Sequence, residues 1–211
     1  LNEIKYDKTK YQLICITDNE NLDPKNTWKI ISVDKSKFEN YRLPNNLASR
    51  YYKILPHIIF PNHKSSVYVD ATLKGINFNL FEEMLKKLKS FNLLISKHPS
   101  RKCIYKERDA IIHFNKDFKE YIDKQLNDYW NEGFPENYGL TENNIIFRNH
   151  NKNYIIYLEN YWWEQFKKKD YSKRDQLSLP YVMWKQNFKK YYTFSAKFKR
   201  SMVFLPNHVK K

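Results

Sequence analysis

The segment Ser65-Ser66-Val67-Tyr68-Val69-Asp70 is a short apolar run that closes on an acid. A run of this length and composition predicts a buried β-strand. Residues 79–90 follow it and place leucine, phenylalanine and methionine on one helical face, and residues 91–96 form a second apolar run. A helix with one apolar stripe packs that stripe on another element. The order strand, helix, strand therefore predicts an α/β fold.

The same alternation extends to both sides of this unit. Patterns of the same kind predict strands at 11–18, 28–33 and 144–148, and helices at 47–60, 105–130, 154–168 and 176–185. Alternating strands and helices predict a mostly parallel (mixed) central sheet flanked by helices on both faces. We expect residues 1–211 to form a single domain, and the start at Leu1 is compatible with excision from a longer protein.

Composition and charge exclude several classes of protein. Hydrophobic residues make up 41% of the chain and aromatic residues 17%, enough for a packed core, so a disordered chain is excluded. Only 3 glycines are present, which excludes glycine-rich phosphate loops and leaves side chains and a metal to hold any phosphate. The net charge of +15 suits a polyanionic ligand, but an AT-rich coding sequence explains it equally well. The basic tail 185–211 is interpreted as a solvated arm or as a strap over an anionic ligand.

The number and spacing of the cysteines indicate the redox state of the compartment. Cys15 and Cys103 lie far apart without a Cys-x-x-Cys spacing, which argues against a disulfide scaffold and against a cysteine-based zinc site. This usage suits a reducing compartment, so we expect a cytoplasmic protein. No apolar run reaches the roughly 18 residues that a membrane-spanning helix needs, so no membrane span is expected.

Polar residues around the predicted strands are the first candidates for a site, because ligands of α/β sheets bind at the carboxyl ends of strands. Asp70 closes its strand, and its carboxylate suits a hard divalent cation whose other ligands a diphosphate supplies. Arg50 and Lys53 are three residues apart and share a helical face, where two cations suit a diphosphate. Ordinary structural roles stay open for all three: a turn for Asp70 and a solvated basic face for the cations.

Two further clusters are candidates. The loop 96–102 surrounds His98 and Arg101 with lysines at a proline turn, so it either binds an anion or is a solvated loop. Asp175 precedes a helical run and serves either as a helix cap or as a carboxylate that takes a proton or holds a sugar hydroxyl. The histidines show no close zinc spacing, and His208 matters only if the tail folds back.

Several blocks occur together in an order that resembles one glycosyltransferase family. They are Arg50-Tyr51-Tyr52-Lys53-Ile54-Leu55-Pro56-His57, Phe60-Pro61, Tyr68-Val69-Asp70, Ser96-Lys97-His98-Pro99 with Arg101 and Cys103-Ile104-Tyr105, Gly133-Phe134-Pro135, Gly139-Leu140, and Ser172 with Arg174-Asp175-Gln176-Leu177-Ser178. The family includes plant members related to mucilage and pollen tubes and bacterial capsule enzymes, and the similarity covers roughly residues 11–190. The chain also looks like the amino-terminal domain of chlorella-virus glycosyltransferases, which implies a viral protein of the host cytoplasm.

The resemblance implies a GT-A fold, a UDP-sugar donor and Mn²⁺ or Mg²⁺ as cofactor. In GT-A enzymes a strand-end Asp-x-Asp binds the metal and the donor. Asp70 matches the first acid, whereas Thr72 stands at the second. His208 is implied as a further metal ligand, since some GT-A enzymes use a carboxyl-terminal histidine. The expected donor-binding residues are Thr17, Asp18, Arg50, Lys53, Asp70, Thr72, His98 and Arg101.

We expect the chain to move a hexose from a UDP-sugar to a hydroxyl of a glycan acceptor, in capsid or surface glycan synthesis. Asp175 acts as the base if the reaction inverts the anomeric configuration and positions the sugar if the reaction retains it; both stay open. No nucleic-acid partner is expected under this interpretation. Two alternatives stay open: a basic nucleic-acid-binding domain, supported by charge and aromatic content, and an inactive sugar-nucleotide-binding scaffold, supported by Thr72.

Overall fold

The computed structural model describes residues 4–73, 75–150 and 152–203, and the predicted metal ligand His208 lies outside them. The chain divides into two compact units, Leu1–Tyr52 and Lys53–Lys211. The boundary falls within helix α1 (Pro44–Ile54), so the last two residues of this helix belong to the second unit.

The first unit contains a two-stranded parallel sheet. Its strands are β1 (Ile14–Thr17) and β2 (Lys29–Ser32), and the register places Thr17 opposite Ser32. Both strands were predicted from their apolar runs, and both predictions are confirmed. A short 3-10 helix (Ser36–Phe38) follows and buries Phe38. The carboxyl ends of the two strands therefore lie at one edge of this small sheet.

The second unit contains a four-stranded mixed sheet. Its strands are β3 (Ser65–Val69), β4 (Leu93–Lys97), β5 (Thr141–Asn149) and β6 (Tyr191–Phe194), and their spatial order is β3-β5-β4-β6. β5 is antiparallel to both of its neighbours, and β6 is parallel to β4. The mixed α/β class is confirmed, while the expectation that most strands run parallel is corrected for this sheet.

The connection between β4 and β5 explains the antiparallel pairing. The sequence predicted one helix over 105–130, but two helices occur there, α4 (Ile104–His113) and α5 (Lys119–Asn131). Asn115 lies in the break with a φ of 49°, a conformation that asparagine tolerates better than most residues. The chain returns to the end of β4 before β5 begins, and Lys97 pairs with Thr141. A single crossover helix is the usual connection between parallel strands, and it is absent between these two strands.

Helices pack on this sheet through an apolar face. Besides α1, α4 and α5, the described helices are α2 (Pro56–Ile59), α3 (Phe78–Lys87), α6 (Asn153–Lys167), α7 (Asp175–Lys185) and α8 (Ala196–Met202). One core cluster joins Leu94 and Phe147 of the sheet to Met84 of α3 and Met202 of α8. Burying each side chain of this size stabilises the fold by about 1.5–3 kcal/mol. No helix in the described ranges has the length and apolar composition needed to cross a bilayer.

Two local predictions are corrected. The helix predicted at residues 79–90 begins earlier, with Asn77 as its cap, because the Asn77 side chain accepts the backbone N–H of Leu80 at 3.4 Å. The tail predicted as a solvated arm or strap instead contributes β6 and α8 as far as the structure describes it, and Lys199 in it is 2% exposed. The many lysines of the tail made the aromatic strand pattern of β6 hard to recognise from the sequence.

Candidate active site

The ends of three strands meet at one edge of the four-stranded sheet. β3 and β4 end there and β5 begins there, because β5 is antiparallel to both. The backbone N–H of Asp70 donates to the carbonyl of Asn144 at 2.8 Å, and that of His98 donates to the carbonyl of Leu140 at 2.9 Å. The residues that follow β3 and β4 therefore continue beside the start of β5.

Asp70 and Asn144 are neighbours across β3 and β5 at this edge, and each carries a side-chain oxygen that could bind a metal. Asp70 is half-buried, and its carboxylate makes no hydrogen bond or ion pair with the part of the chain that the structure describes. The Asn144 side chain donates Nδ2–H to Glu142 at 3.1 Å, which fixes the amide orientation because a carboxylate only accepts. Its Oδ1 is buried and has no hydrogen-bond partner among the described residues. Thr72, at the second acidic position of the motif, is exposed in the following turn.

Helix α8 holds the side chains behind this edge. The ammonium of Lys199 bonds to Oε2 of Glu142, while Oε1 of Glu142 accepts the Asn144 amide. Lys199 is buried, so this contact is shielded from water and salt. Two side chains in series therefore fix the amide of Asn144, the residue whose carbonyl accepts the backbone N–H of Asp70.

Among the predicted site residues that the structure describes, Lys53 and Asp175 form the most buried ion pair. Lys53 Nζ lies 2.5 Å from Asp175 Oδ2, and the two side chains are 3% and 5% exposed. The ammonium also lies 4.9 Å from the centre of the Tyr68 ring. The side chain of Gln176 donates to the carbonyl of Thr141 at 3.1 Å, which fixes the start of α7 beside the start of β5. The structure thus brings Lys53 and Asp175 together, with Lys53 bound to the acid rather than exposed to a diphosphate.

A second buried ion pair supports the first. Arg148 and Glu159 are each 1% exposed, and Arg148 Nη1 lies 3.3 Å from Glu159 Oε1. Arg148 also donates to the carbonyl of Lys53 at 2.7 Å, and the other carboxylate oxygen of Glu159 lies 2.6 Å from His57 Nδ1. Burial lowers the pKa of Arg148, and the charge of Glu159 opposes this effect. Sequence reasoning missed Glu159, and its only signal is an acid on the buried face of an apolar helix.

The loop after β4 is an internally bonded turn. His98 Nδ1 accepts the backbone N–H groups of Ser100 and Arg101 at 3.3 and 3.0 Å. The guanidinium of Arg101 donates to the buried carboxylate of Glu107. Burial lowers the pKa of His98 below its ordinary value. The structure therefore brings His98 and Arg101 together, but it ties Arg101 to an acid where the sequence predicted a cluster of cations for an anion.

Three predicted donor-binding residues lie in the first unit. Thr17 closes β1, and its hydroxyl accepts the backbone N–H two residues later at 3.0 Å. Asp18 is exposed and paired with Lys35, whose hydrogen bond lowers the pKa of Asp18. Arg50 is half-buried on α1 and donates to the hydroxyl of Ser49 at 3.0 Å. Their roles in donor binding stay predictions.

The pH dependence of stability is predicted from His150 at the end of the same sheet. Burial, with added repulsion from Arg148, His57 and His63, lowers the pKa of His150 from 6.5 to about 3. The unfolded chain therefore binds more protons between these two values, so stability is full above pH 6.5 and falls as the pH drops toward 3. Urea unfolding at about pH 7 and about pH 4 measures this effect. Between these two pH values the wild-type protein loses unfolding free energy, and His150→Gln is expected to lose about 3 kcal/mol less.

His113→Gln is the matched control, because His113 is exposed at the end of α4 and is not among the groups that lower the pKa of His150. It is expected to leave the acid sensitivity nearly unchanged. Equal acid sensitivity in wild-type protein and His150→Gln would show that His150 is not buried as a neutral imidazole.

Comparison with known proteins agrees with the resemblance drawn from the sequence blocks. A family model described as TOD1/MUCI70, glycosyltransferase-like domain matches residues 4–208. No curated protein and no solved structure matches the chain. The family match spans both units and includes every predicted site residue.

Proposed function

Because the chain belongs to the TOD1/MUCI70 glycosyltransferase-like family, we propose that it transfers a hexose from a UDP-sugar to a glycan hydroxyl with Mn²⁺ or Mg²⁺ bound at Asp70. The family supports the glycosyltransferase role. One observation carries the finer proposal: Asp70 and Asn144 are bonded through their backbones at the strand ends, and neither the Asp70 carboxylate nor the Asn144 amide oxygen has a hydrogen-bond partner among the described residues. Buried polar atoms without a partner are uncommon, and a bound cation would supply the partner that Asn144 Oδ1 lacks.

The residues present fit a hard divalent cation. Mg²⁺ and similar ions bind oxygen, and in nucleotide sites they take one or two carboxylates together with water and substrate phosphates. Within the described residues no group of three or more His, Cys, Asp or Glu side chains could hold a metal. A site completed by a diphosphate matches this ligand supply, and the ion would neutralise charge on the departing diphosphate. His208 is proposed as a further ligand from outside the described residues.

Asp175 is proposed as the carboxylate on the acceptor side. It lies at the start of α7, at the same sheet edge as Asp70, and Lys53 fixes its position. A buried carboxylate needs a paired cation to stay charged, and Lys53 supplies it. This arrangement supports either proposed role of Asp175, as the base of an inverting reaction or as the group that positions the sugar in a retaining one.

Thermal unfolding with a panel of UDP, GDP and CMP, with and without Mn²⁺, tests the donor and the metal. We expect UDP with Mn²⁺ to stabilise the protein by about 2.7 kcal/mol when the nucleotide is at roughly 100 times its Kd. GDP, CMP and UDP without metal are expected to stabilise it much less. Asp70→Asn is expected to remove the metal-dependent part, because an amide is a weaker ligand than a carboxylate.

Asp109→Asn is the matched control, since the Asp109 side chain is 80% exposed. It is expected to respond to UDP and Mn²⁺ as the wild-type protein does. A UDP response that needs no metal, or that survives in Asp70→Asn, would contradict the proposed site.

The positive charge gives less support to a nucleic-acid-binding function than composition alone suggests. Lys53, Arg148, Lys173 and Lys199 are all buried and bonded to acids or carbonyl groups, so they present no charge to a polyanion. Nucleic-acid binding would also weaken steeply with salt, which donor binding need not do. Two free cysteines support a reducing compartment, and we extend the proposal to a cytoplasmic step of capsid or surface glycan synthesis.

A further inference from the structure

A groove of about 320 Å³ lies between α4, α5 and the loop that precedes β5. It is lined by Tyr105, Leu126, Asn127, Trp130 and Glu136. None of these residues belongs to the candidate active site at the strand ends. The volume is at the lower end of the range for ligand-binding clefts.

An aromatic platform forms one wall of the groove. Trp130 is 58% exposed, whereas Trp162 is almost completely buried. The Tyr105 ring meets Trp130 edge-on, with ring centres 5.5 Å apart and an interplanar angle of 82°. The Tyr105 hydroxyl donates to the carbonyl of Phe134 at 2.9 Å, which fixes this ring in place. The indole is therefore held from one side while a large part of its surface faces solvent.

Polar groups beside the platform indicate what class of ligand fits. Asn127 and Trp130 are three residues apart on α5, so they share one face of the helix. Glu136 reaches the groove from the loop, and both Asn127 and Glu136 are exposed. The lining contains one carboxylate and no cation, although the chain as a whole carries a net charge of +15. An anionic ligand would be repelled by Glu136, and a purely apolar ligand would leave the polar groups unused.

We propose that this groove binds a neutral glycan. The C–H face of a sugar ring packs on the Trp130 indole, while its hydroxyls donate to the Glu136 carboxylate and exchange hydrogen bonds with the Asn127 amide. Neutral sugars have this combination of an apolar face and a polar rim, whereas nucleotides and acidic peptides carry negative charges that Glu136 would repel. The inference rests on the proposed function only in naming a glycan as the ligand class, and it adds a glycan contact outside the transfer site.

Titration of the purified chain with neutral and acidic oligosaccharides tests this inference. The probes are cellohexaose, mannohexaose and xylohexaose, with a galacturonic acid hexamer as the acidic comparison, and binding is followed by calorimetry in the absence of UDP and metal. We expect at least one neutral oligosaccharide to bind and the acidic hexamer to bind much more weakly. Trp130→Ala is expected to raise the Kd at least tenfold, and Trp130→Phe to raise it less.

Tyr157→Ala is the matched control, because Tyr157 is another exposed aromatic residue, 67% exposed on α6. Its Kd is expected to equal that of the wild-type protein, and thermal unfolding checks that all variants fold. Asp70→Asn is expected to bind the oligosaccharide normally, which separates this groove from the donor site. Absence of binding by every neutral probe, or equal binding by Trp130→Ala and Tyr157→Ala, would overturn the proposal.

Discussion

Replacing Lys53 with methionine is expected to lower the free energy of unfolding by about 3–5 kcal/mol, because the Asp175 carboxylate is then buried without its cation. The pair is almost inaccessible to water, with 3% and 5% of the side chains exposed and 2.5 Å between Nζ and Oδ2. Methionine keeps the length and the helix propensity of lysine, so the main change is the lost charge. Urea unfolding at neutral pH measures the effect.

A double-mutant cycle separates the ion pair from general packing. Lys53→Met combined with Asp175→Asn removes both charges, and we expect an interaction energy of about 2 kcal/mol or more between the two positions. Lys167→Met is the matched control, because the Lys167–Glu164 pair at 2.7 Å is partly exposed on α6. Its cost is expected to stay below about 1 kcal/mol. Equal costs for Lys53→Met and Lys167→Met would show that the Lys53–Asp175 pair is not buried as described.

The second large effect is expected in turnover. The doubly substituted protein, Lys53→Met with Asp175→Asn, retains no unpaired buried charge and is expected to stay folded while its turnover falls by about 10²–10⁴-fold. Asp175→Asn alone is a less clear test, because it leaves the ammonium of Lys53 buried without an acid. Turnover is measured as UDP release from UDP-glucose and UDP-galactose, and the variants are compared with the donor that gives the higher wild-type rate.

Donor affinity distinguishes a catalytic role from a structural one. If Asp175 acts on the acceptor side, the Mn²⁺-dependent affinity for UDP is expected to stay within about twofold of the wild-type value. Turnover within tenfold of wild type in the folded double variant would remove Asp175 from the reaction. Joint loss of UDP affinity and turnover would instead assign the Lys53–Asp175 pair to donor binding.

Much of the fold was predictable from local patterns. The apolar runs of β1, β2, β3, β4 and β5 all occur where the sequence predicted strands, because alternation and burial leave a signal within a few residues. The break at Asn115 was missed, since apolar residues continue at helical spacing on both sides of it. β6 and α8 were also missed, because a strand at a sheet edge needs its neighbour β4 to be recognised.

The candidate site was predictable only in part. Asp70 was identified from its position at the end of an apolar strand, and the structure places it at the edge where three strand ends meet. Asn144 was not identified, because an asparagine at the start of a strand is ordinary until its neighbour across the sheet is known. Lys53 was predicted to meet a diphosphate, which stays a prediction, and its ion pair with Asp175 was not foreseen.

The sequence alone determined where β1 to β5 lie, that an acid follows β3, and which protein family the chain resembles, since all of these depend on neighbouring residues or on ordered blocks. The tertiary structure alone decided the partners of the charges. His57 and Glu159 meet although they are 102 residues apart, and Arg148 reaches the carbonyl of Lys53 across 95 residues. The physical reason is that a buried charge is stable only beside its partner, and strand order and register, not local sequence, bring the two together.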